Sequence, residues 1–337
     1  MGGVEQRAIH VDGDQVDHRV CSVWGRTILL HCTIPSAAHD DTVDPTATVF
    51  ACLEGYSQGC PGPESRLTSS ITSPTWSPPM DLQLTGKTAL VTGSTAGIGL
   101  AIARRLAEEG ATVWICGRNQ EKLDAAAKEL GASVKAVLAD PATAEGCETI
   151  VSTVGSVDIL VNNLGVYASR DFQGLTDDEW RSIFEINVLS GVRLSRAFLP
   201  AMRERDFGRI IFISSDASLV VPPDMIHYSM TKSAQLAVSR GLAASLKGTA
   251  VTVNSVLAGS TRSEGIENFL ASVVPEATND EERERIYFER ERPTSIIQRL
   301  IDPAEIANAV AYLASPLASA TTGAAVRVDG GIVPTIA

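Results

Sequence analysis

The stretch T-G-S-T-A-G-I-G, residues Thr92 to Gly99, decides how this chain folds. It follows an apolar run and precedes an amphipathic one, which is typical of a turn between a β-strand and an α-helix. Gly93 permits a tight turn, while Gly97 and Gly99 let backbone amides and the helix approach a pyrophosphate closely, beside the positive helix N-terminus. We therefore predict a dinucleotide site formed by Thr92, Gly93, Thr95, Gly97, Ile98 and Gly99.

This glycine-rich stretch has three alternative explanations. The glycines could serve only to allow positive φ angles in a turn, without a ligand. Gly86-Lys87-Thr88 resembles the end of a nucleoside-triphosphate loop, but that motif needs a glycine where Asp81 stands. The nucleophile turn of a hydrolase needs a serine where Thr95 stands. The strand before the loop and the helix after it favour the dinucleotide site.

From Lys87 onward, short apolar runs alternate with longer amphipathic stretches. We predict strands over Lys87–Thr92, Thr112–Cys116, Val134–Ala139, Asp158–Asn162, Arg209–Ser214, Val251–Val256 and Ala324–Val328. We predict helices over Ile98–Glu109, Gln120–Leu130, Asp177–Arg205, Tyr228–Leu246 and Pro303–Leu313. Because apolar strands that alternate with helices form parallel sheets covered on both faces, the predicted fold class is α/β. The expected architecture is a single doubly wound Rossmann domain with a mainly parallel sheet of about seven strands.

The composition changes near Met80. Residues 1–79 hold four of the five histidines, four of the six cysteines and no lysine, and the run from Ser69 to Pro79 is rich in serine and proline. No sustained helical or strand periodicity occurs there. We expect residues 1–79 to be an extension, either unstructured or a mis-assigned gene start with translation beginning at Met80. Residues 80–337 are then the Rossmann domain.

The overall composition excludes several classes of partner. Apolar residues make up 44% of the chain and charged residues 20%, as in a soluble globular protein. The formal charge of −12, without a basic stripe, argues against nucleic acid, and the lack of an apolar run of about 18 residues argues against a membrane. The cysteines and histidines lack ligand spacing, so we predict no metal site. Residues 1–79 lack the apolar region of a secretory signal, and we expect a cytoplasmic location.

The residues after the second predicted strand distinguish NAD from NADP. An acidic residue about 20 positions past the glycine loop would bind the ribose 2′-hydroxyl and repel a 2′-phosphate. The sequence there, Ile115-Cys116-Gly117-Arg118-Asn119, holds no acid. Arg118 can bind a phosphate through its guanidinium fork, although a solvated arginine that opens a helix would give the same pattern. We predict that NADP(H) is preferred, with NAD(H) as the alternative.

A second motif, Y-S-M-T-K, places Tyr228 and Lys232 four residues apart at the start of a predicted helix. At that spacing both side chains lie on one helix face. A free tyrosine has a pKa of about 10, and a neighbouring ammonium favours the phenolate, so the phenol could act as general acid or base toward a carbonyl or alcohol. Ser215, which closes the preceding strand, could orient the same oxygen. Two surface residues of a helix would show the same spacing by chance.

With these motifs in this order, the chain from Leu84 to about Pro334 resembles the short-chain dehydrogenase/reductase family. The resemblance rests on the loop Thr92–Gly99, Asn162-Asn163-Leu164-Gly165, Asn187, Ser215, Tyr228, Lys232 and Val328-Asp329-Gly330-Gly331. It implies that Tyr228 is the proton donor or acceptor and that Ser215 binds the substrate oxygen. It also implies that Lys232 binds the nicotinamide ribose and lowers the pKa of the tyrosine.

The resemblance implies roles for five further residues. Asn187 would hold a water that links the lysine to solvent. Asp140 would contact the adenine, and Asn163 and Gly165 would lie along the cofactor. Thr261 would meet the carboxamide.

Two residues depart from the family pattern, and one segment is not family-like. Leu164 stands where the family usually has alanine, and Ala258 where it usually has proline, so we expect extra bulk beside the cofactor and a looser loop after Ala258. Residues 262–299 fall where the family places its substrate lid. The charges of Glu281–Arg292 within this segment are typical of a solvated helix face.

The function implied is that of an NADP(H)-dependent oxidoreductase of the EC 1.1.1 type, which interconverts a carbonyl and an alcohol in a small molecule. The resemblance also implies a homodimer or homotetramer built on the helices near Asp177–Arg205 and Tyr228–Leu246. Two alternatives stay open on the same fold: a cofactor-binding regulatory protein without redox turnover, and a family member with non-redox chemistry such as dehydration or epimerisation.

Overall fold

The computed structural model describes residues 19–23, 26–30 and 80–336. The strands of the described residues are β1 (Arg19–Val23), β2 (Arg26–Leu30), β3 (Thr88–Val91), β4 (Thr112–Gly117), β5 (Val134–Leu138), β6 (Ile159–Asn162), β7 (Gly208–Ser215), β8 (Val251–Ala258) and β9 (Ala325–Val328). Strands β3 to β9 form one seven-stranded sheet in the order β5-β4-β3-β6-β7-β8-β9. Every neighbouring pair in this sheet is parallel.

Helices cover both faces of this sheet. They are α1 (Gly97–Glu108), α2 (Gln120–Leu130), α3 (Ala144–Val154), α4 (Asp177–Phe184), α5 (Ser190–Glu204), α6 (Ile226–Ser245), α7 (Glu264–Val273), α8 (Asp280–Glu291) and α9 (Pro303–Ala314). Ile102 of α1 and Val310 of α9 belong to the apolar core on one face, whereas Ile150 of α3 and Phe198 of α5 belong to the core on the other. Strands β6 and β7 are buried along their whole length, as expected for a sheet covered on both faces.

The direction of chain progression across the sheet reverses between β3 and β6. From β3 the chain proceeds outward through β4 and β5, whereas from β6 it proceeds in the opposite direction through β7, β8 and β9. The connections that follow β3 and β6 therefore diverge, and a crevice opens at the carboxyl ends of these strands. The loop Thr92–Gly99 and residues 163–165 lie at this crevice.

The predicted fold class is confirmed. All seven predicted strands are present, with ends that differ by at most two residues from those observed. Three differences concern helices. Helix α7 was not among the helices predicted from the sequence. Helix α3 was absent from the sequence prediction because its residues A-E-G-C-E-T-I-V-S-T-V are mostly weak helix formers; Thr143 caps it by accepting a hydrogen bond from the Gly146 N–H at 3.0 Å. The helix predicted over Asp177–Arg205 is interrupted by a π-helical turn at Glu185–Leu189, which separates α4 from α5.

Within residues 1–79 the structure describes one hairpin, in which β1 and β2 pair antiparallel from Arg19–Leu30 to Val23–Arg26. The sequence showed no sustained strand pattern there, and strands of five residues are too short to produce one. The remainder of residues 1–79 lies outside the described residues, so the extension and its boundary at Met80 stay predictions. In the part of the chain that the structure describes, no helix combines the length and the apolar character needed to cross a bilayer.

Candidate active site

A cavity of about 350 Å³ lies at the carboxyl ends of β3, β6, β7 and β8. The predicted site residues in its wall are Gly97, Ile98, Gly99, Asn163, Gly165, Ser215, Tyr228, Lys232 and Thr261. Asn187, Thr92, Gly93 and Thr95 stand outside this wall, as do Arg118 and Asp140 at the end of the neighbouring strands. The cavity thus brings together the glycine loop and the Ser-Tyr-Lys set, which are more than 100 residues apart in the chain.

The glycine loop is shaped by close backbone contact. Gly93 and Gly97 have φ angles of +61° and +54°, in the left-handed region that favours glycine. A Cβ on Gly99 would lie 2.3 Å from the carbonyl oxygen of Gly93, so this position has no room for a side chain. Helix α1 begins at Gly97 after Ala96, and no described side chain caps its N-terminus. These N–H groups beside the cavity suit the pyrophosphate of a dinucleotide.

Thr92 and Asn163 join the ends of β3 and β6 beneath the loop. The Thr92 hydroxyl accepts hydrogen bonds from the N–H groups of Asn163 at 2.9 Å and Leu164 at 3.0 Å. The Asn163 amide donates to the carbonyls of Thr92 at 2.9 Å and Gly93 at 3.1 Å. Asn163 therefore supports the loop as well as lining the cavity. The half-buried Leu164 is held through its backbone, and its side chain is outside the cavity wall.

Ser215 ends β7, and Tyr228 lies in the first turn of α6. The Ser215 hydroxyl donates to Oδ1 of Asp216 at 2.7 Å and accepts from the N–H of Ala217 at 3.1 Å. Desolvation raises the pKa of Tyr228 above its ordinary value; its hydrogen bond with Ser215 opposes this, and the negative charge of Asp216 adds to it. Tyr167 packs edge-on against the Tyr228 ring with 5.9 Å between the centroids.

That Lys232 lowers the pKa of Tyr228 stays a prediction from the resemblance; the structure shows where the lysine itself is held. Its Nζ donates to the Ile213 carbonyl at 2.8 Å and to Oε1 of Gln235 at 3.3 Å, and it lies 5.6 Å from the centroid of the Tyr228 ring. Burial lowers the pKa of Lys232 itself to about 8. The ammonium is thus directed at backbone and amide oxygens below the ring.

Asn187 lies in the π-helical turn and is held by three hydrogen bonds. Its side chain bonds both the N–H and the carbonyl of Val166, at 2.8 Å and 3.0 Å, and donates to the Thr231 hydroxyl at 3.0 Å. Its backbone carbonyl accepts from Nε2 of Gln235 at 2.6 Å. Gln235 therefore links Lys232 to Asn187 directly.

The sequence analysis missed Gln235. It stands three residues after Lys232, and that helical spacing places both side chains on one face of α6, a signal that could have identified it. The residue is buried, with 1% of its surface exposed, which is unusual for a glutamine and consistent with a fully hydrogen-bonded amide.

Arg118 and Asp140 follow β4 and β5 at the same edge of the sheet. The Arg118 side chain is 80% exposed, and its Nη1 lies 3.6 Å from Oδ2 of Asp140. Thr95 of the glycine loop approaches this edge, since a Cβ on Gly117 would lie 2.8 Å from the Thr95 methyl group. The two residues predicted to contact the 2′-phosphate and the adenine are therefore neighbours beside the loop.

Residues 262–299 contain α7 and α8, and we call them the lid segment. These helices share an apolar core that includes Leu270, Tyr287 and Phe288. The charged residues of α8 form exposed pairs, as the predicted solvated face requires, but Tyr287 and Phe288 are buried on the other side. Arg292 and Tyr287 line the cavity, and the Tyr287 hydroxyl lies 2.8 Å from the Ser260 hydroxyl.

The segment between β8 and the lid carries Thr261. Its hydroxyl donates to the Gly259 carbonyl at 2.8 Å, and its backbone forms a parallel bridge with Ile301. Ala258, at the end of β8, is buried in the core and pairs with Val328 of β9. Strand β8 holds the chain before Ala258, and the bridge between Thr261 and Ile301 holds it afterwards, although this position lacks the proline of the family pattern.

Comparison with known proteins identifies relatives of the whole described domain. The family model for short chain dehydrogenases matches residues 87–272. An uncharacterized oxidoreductase of Bacillus subtilis (strain 168), YvaG, is 50% identical over 263 residues, which cover 76% of this chain and 100% of that protein.

Solved structures are similar over the same part of the chain. L-Sorbose reductase from Gluconobacter frateurii, complexed with NADPH and L-sorbose, is 32% identical with a TM-score of 0.71, over 76% of this chain and 100% of that one. A 3-ketoacyl-(acyl-carrier-protein) reductase from Brucella melitensis, complexed with NADH, is 28% identical with a TM-score of 0.64, over 74% and 99%. Similar structures thus bind both nicotinamide dinucleotides.

Proposed function

This chain is an oxidoreductase of the short-chain dehydrogenase family, and from that premise we propose that it interconverts a carbonyl and an alcohol with NADP(H). NAD(H) is the alternative cofactor. The observation that carries the proposal is the meeting of Ser215, Tyr228 and Lys232 around one cavity whose wall also includes residues of the glycine loop. A small-molecule substrate fits a cavity of this size.

Tyr228 is the proposed general acid of the reduction and the general base of the oxidation. Its raised pKa keeps the phenol protonated, which suits the donation of a proton to a carbonyl oxygen. Ser215 lies beside it and orients that oxygen. When bound, the nicotinamide supplies or accepts the hydride. A cationic nicotinamide near the phenol would favour the phenolate in the oxidation direction.

Lys232 is proposed to bind the nicotinamide ribose, with Gln235 and Asn187 as its support. Gln235 accepts a hydrogen bond from the lysine through Oε1 and donates through Nε2 to the Asn187 carbonyl. The ammonium is therefore held in place in the cavity wall. Asn187 supports the lysine through its carbonyl and Gln235, and the water that the resemblance implies beside Asn187 stays a prediction.

The cofactor is proposed to lie along the carboxyl ends of the strands. Its pyrophosphate would bind at the N-terminus of α1, with contacts from Thr92, Gly93, Thr95, Gly97, Ile98 and Gly99. Asn163, Gly165 and Thr261 would border the nicotinamide half, and Asp140 the adenine. The preference for NADP(H) rests on Arg118, whose exposed guanidinium stands beside Asp140 without an acid at the end of β4.

The enzyme assignment disfavours the regulatory alternative, because the catalytic set is intact and the relatives are oxidoreductases and reductases. The cytoplasmic location and the homodimer or homotetramer stay predictions from the sequence.

The experiment is to measure NADPH and NADH consumption by the full chain across ketones, aldehydes and quinones. Tyr228→Phe should lower turnover by about 10²-fold or more while NADPH still binds, because only the proton donor is removed. Tyr312→Phe is the matched control, since this tyrosine of α9 is exposed and is not part of the cavity wall. Turnover retained by Tyr228→Phe would contradict the assignment of the proton donor.

A further inference from the structure

Asp216 is a buried acid in the active-site wall to which neither the resemblance nor the comparisons assign a role. It directly follows Ser215 at the end of β7, it lines the cavity, and only 8% of its surface is exposed. Buried carboxyl groups are uncommon unless their hydrogen bonds are satisfied. Its partner here is the hydroxyl of Ser215, at 2.7 Å.

This hydrogen bond restricts what Ser215 can do, because a hydroxyl has a single proton. An ionised carboxylate only accepts, so it takes the proton of Ser215 and leaves that oxygen as an acceptor toward the cavity. A protonated carboxyl can donate to the Ser215 oxygen instead. The serine proton is then free to point at a substrate oxygen.

We propose that Asp216 is a positioning residue that sets the direction in which Ser215 donates its proton, and so whether the serine assists Tyr228 at the substrate oxygen. The protonated carboxyl turns the serine toward a carbonyl substrate; the ionised carboxylate turns it away. This inference rests on the proposed carbonyl reduction.

The groups around Asp216 act on the pKa of its carboxyl in opposite directions, and burial has the largest effect. Burial raises the pKa of its carboxyl above the ordinary value, and the nearby negative charge of Asp329, after β9, adds to this. The hydrogen bond from Ser215, the Arg292 guanidinium after α8 and the N–H of Ala217 act in the opposite direction.

Two phenols complete the surroundings of Asp216. Tyr228 of α6 and Tyr287 of α8 each have a pKa that the negative charge of Asp216 helps to raise. Both phenols are protonated at neutral pH, so they do not compete with Asp216 for a proton there. Lys232, whose pKa burial lowers to about 8, is a separate titrating group in the pH profile.

The sign of the effect follows from this arrangement. The reduction rate should fall as pH rises through the pKa of Asp216, because the serine then donates to the carboxylate. A single group gives a limb of about tenfold per pH unit. Asp216→Asn keeps the shape of the side chain but does not titrate, so this limb should disappear while the limb of Lys232, near pH 8, stays.

The first test is the pH profile of carbonyl reduction by wild type and Asp216→Asn, with Tyr228→Phe as the inactive reference. Loss of one limb in Asp216→Asn, with the Lys232 limb near pH 8 retained, supports the inference. A profile in that variant with the same limbs as wild type overturns it, even where Tyr228→Phe confirms the proposed function.

A second test needs no turnover. Infrared difference spectra of wild type against Asp216→Asn, recorded at increasing pH, should show a protonated carboxyl band above the ordinary aspartate pKa of about 3.9. Ser215→Ala should move that titration to higher pH, since the serine proton stabilises the carboxylate. A band absent from wild type, or a titration that Ser215→Ala leaves unmoved, overturns the inference. Absence of turnover with every carbonyl compound instead counts against the proposed function, and the infrared result then still decides the coupling.

Discussion

Two regions of the molecule are held in place by different contacts: the active-site wall at the strand ends, and the lid segment. Lys232 is bonded to the Ile213 carbonyl, and its own carbonyl accepts from the Ser214 hydroxyl at 2.9 Å, so α6 is tied to β7 at two points. The lid helices α7 and α8 instead share their own apolar core. The hydrogen bond between the Ser260 and Tyr287 hydroxyls, at 2.8 Å, attaches the lid to the segment after β8, and the Leu300 N–H donates to Glu284 of the lid at 2.8 Å.

This difference indicates that the active-site wall and the lid segment have different roles. The reacting groups stand on buried strand ends, where the sheet holds them within narrow limits, and a residue there cannot move without its neighbours. The lid has a separate core and a charged outer face, so its sequence can change without disturbing the sheet. Chemistry is therefore expected to depend on the strand ends, and the choice of substrate on the lid.

Substitution of Lys232 should have the largest effect, because this residue belongs to the active-site wall at the strand ends. Lys232→Met should lower turnover by about 10²-fold or more, yet stabilise the folded protein at pH 7 by up to about 3 kcal/mol. The reason is that the folded pKa, about 8, lies below the unfolded value of about 10.4, so burying the charge destabilises the fold below pH 8. This difference between variant and wild type should vanish as pH rises through that window.

Urea unfolding of both proteins at pH 7 and pH 10 measures the effect. A variant less stable than wild type at pH 7 would show that the hydrogen bonds of Lys232 outweigh its desolvation.

The glycine loop should tolerate change less than an open glycine of the same domain. Gly99→Ala places a Cβ 2.3 Å from the Gly93 carbonyl, a backbone atom, so we expect a loss of about 1–3 kcal/mol in unfolding free energy and weaker NADPH binding. Gly241→Ala in α6 is the control, because no described atom lies within 4 Å of its added Cβ. It should stabilise the protein by about 0.5–1 kcal/mol. Equal stability of the two variants would contradict the close contact between Gly99 and the Gly93 carbonyl.

Arg118, which follows β4 outside the cavity wall, tests the proposed preference for NADP(H). Arg118→Ala should weaken NADPH binding by about tenfold or more, since a hydrogen bond to a charged group contributes about 1.5–3 kcal/mol, and should leave NADH binding nearly unchanged. Isothermal titration with both dinucleotides measures this. Arg181→Ala serves as the control, because that exposed arginine of α4 pairs with Asp177 and Asp178. Equal weakening of both cofactors would argue against a 2′-phosphate contact.

The smallest effect is expected in the lid. Tyr287→Phe removes the hydrogen bond to Ser260 and should lower the unfolding free energy by about 1 kcal/mol. The dissociation constant of NADPH should stay within experimental error, because the strand ends are untouched. Fluorescence titration and thermal unfolding check the two parts. A large loss of cofactor affinity would show that the lid and the strand-end wall are one unit.

The difference between the active-site wall and the lid segment also explains how much could be predicted from the sequence. Tyr228, Lys232 and the loop Thr92–Gly99 were predictable because their spacing is local and each motif lies beside a periodic element. Gln235 shares a helix face with Lys232, but its contact with Asn187 lies outside any local motif. Asp216 was not predictable, since its importance arises from its contact with the hydroxyl of Ser215 inside the cavity wall. The raised pKa of Tyr228 also depends on burial, which a motif does not report.

The lid segment was the least predictable part. Its charges correctly indicated a solvated face on α8, but the buried pair Tyr287 and Phe288 is recognisable only once α7 is packed against it. Helix α3 shows the same limit, because packing on the sheet outweighs its weak helix formers.

The π-helical turn at Glu185–Leu189 also sets the direction in which the side chains of α5 face. The Ser190 N–H donates to the Glu185 carbonyl five residues back, so the turn holds one residue more than an α-helix would. Each residue advances an α-helix by about 100°. Deleting one residue here would turn Leu194 and Phe198 of α5, both buried, away from the sheet. The extra residue of the π-helical turn therefore lets Asn187 bond Val166 and Thr231 while Leu194 and Phe198 stay in the core.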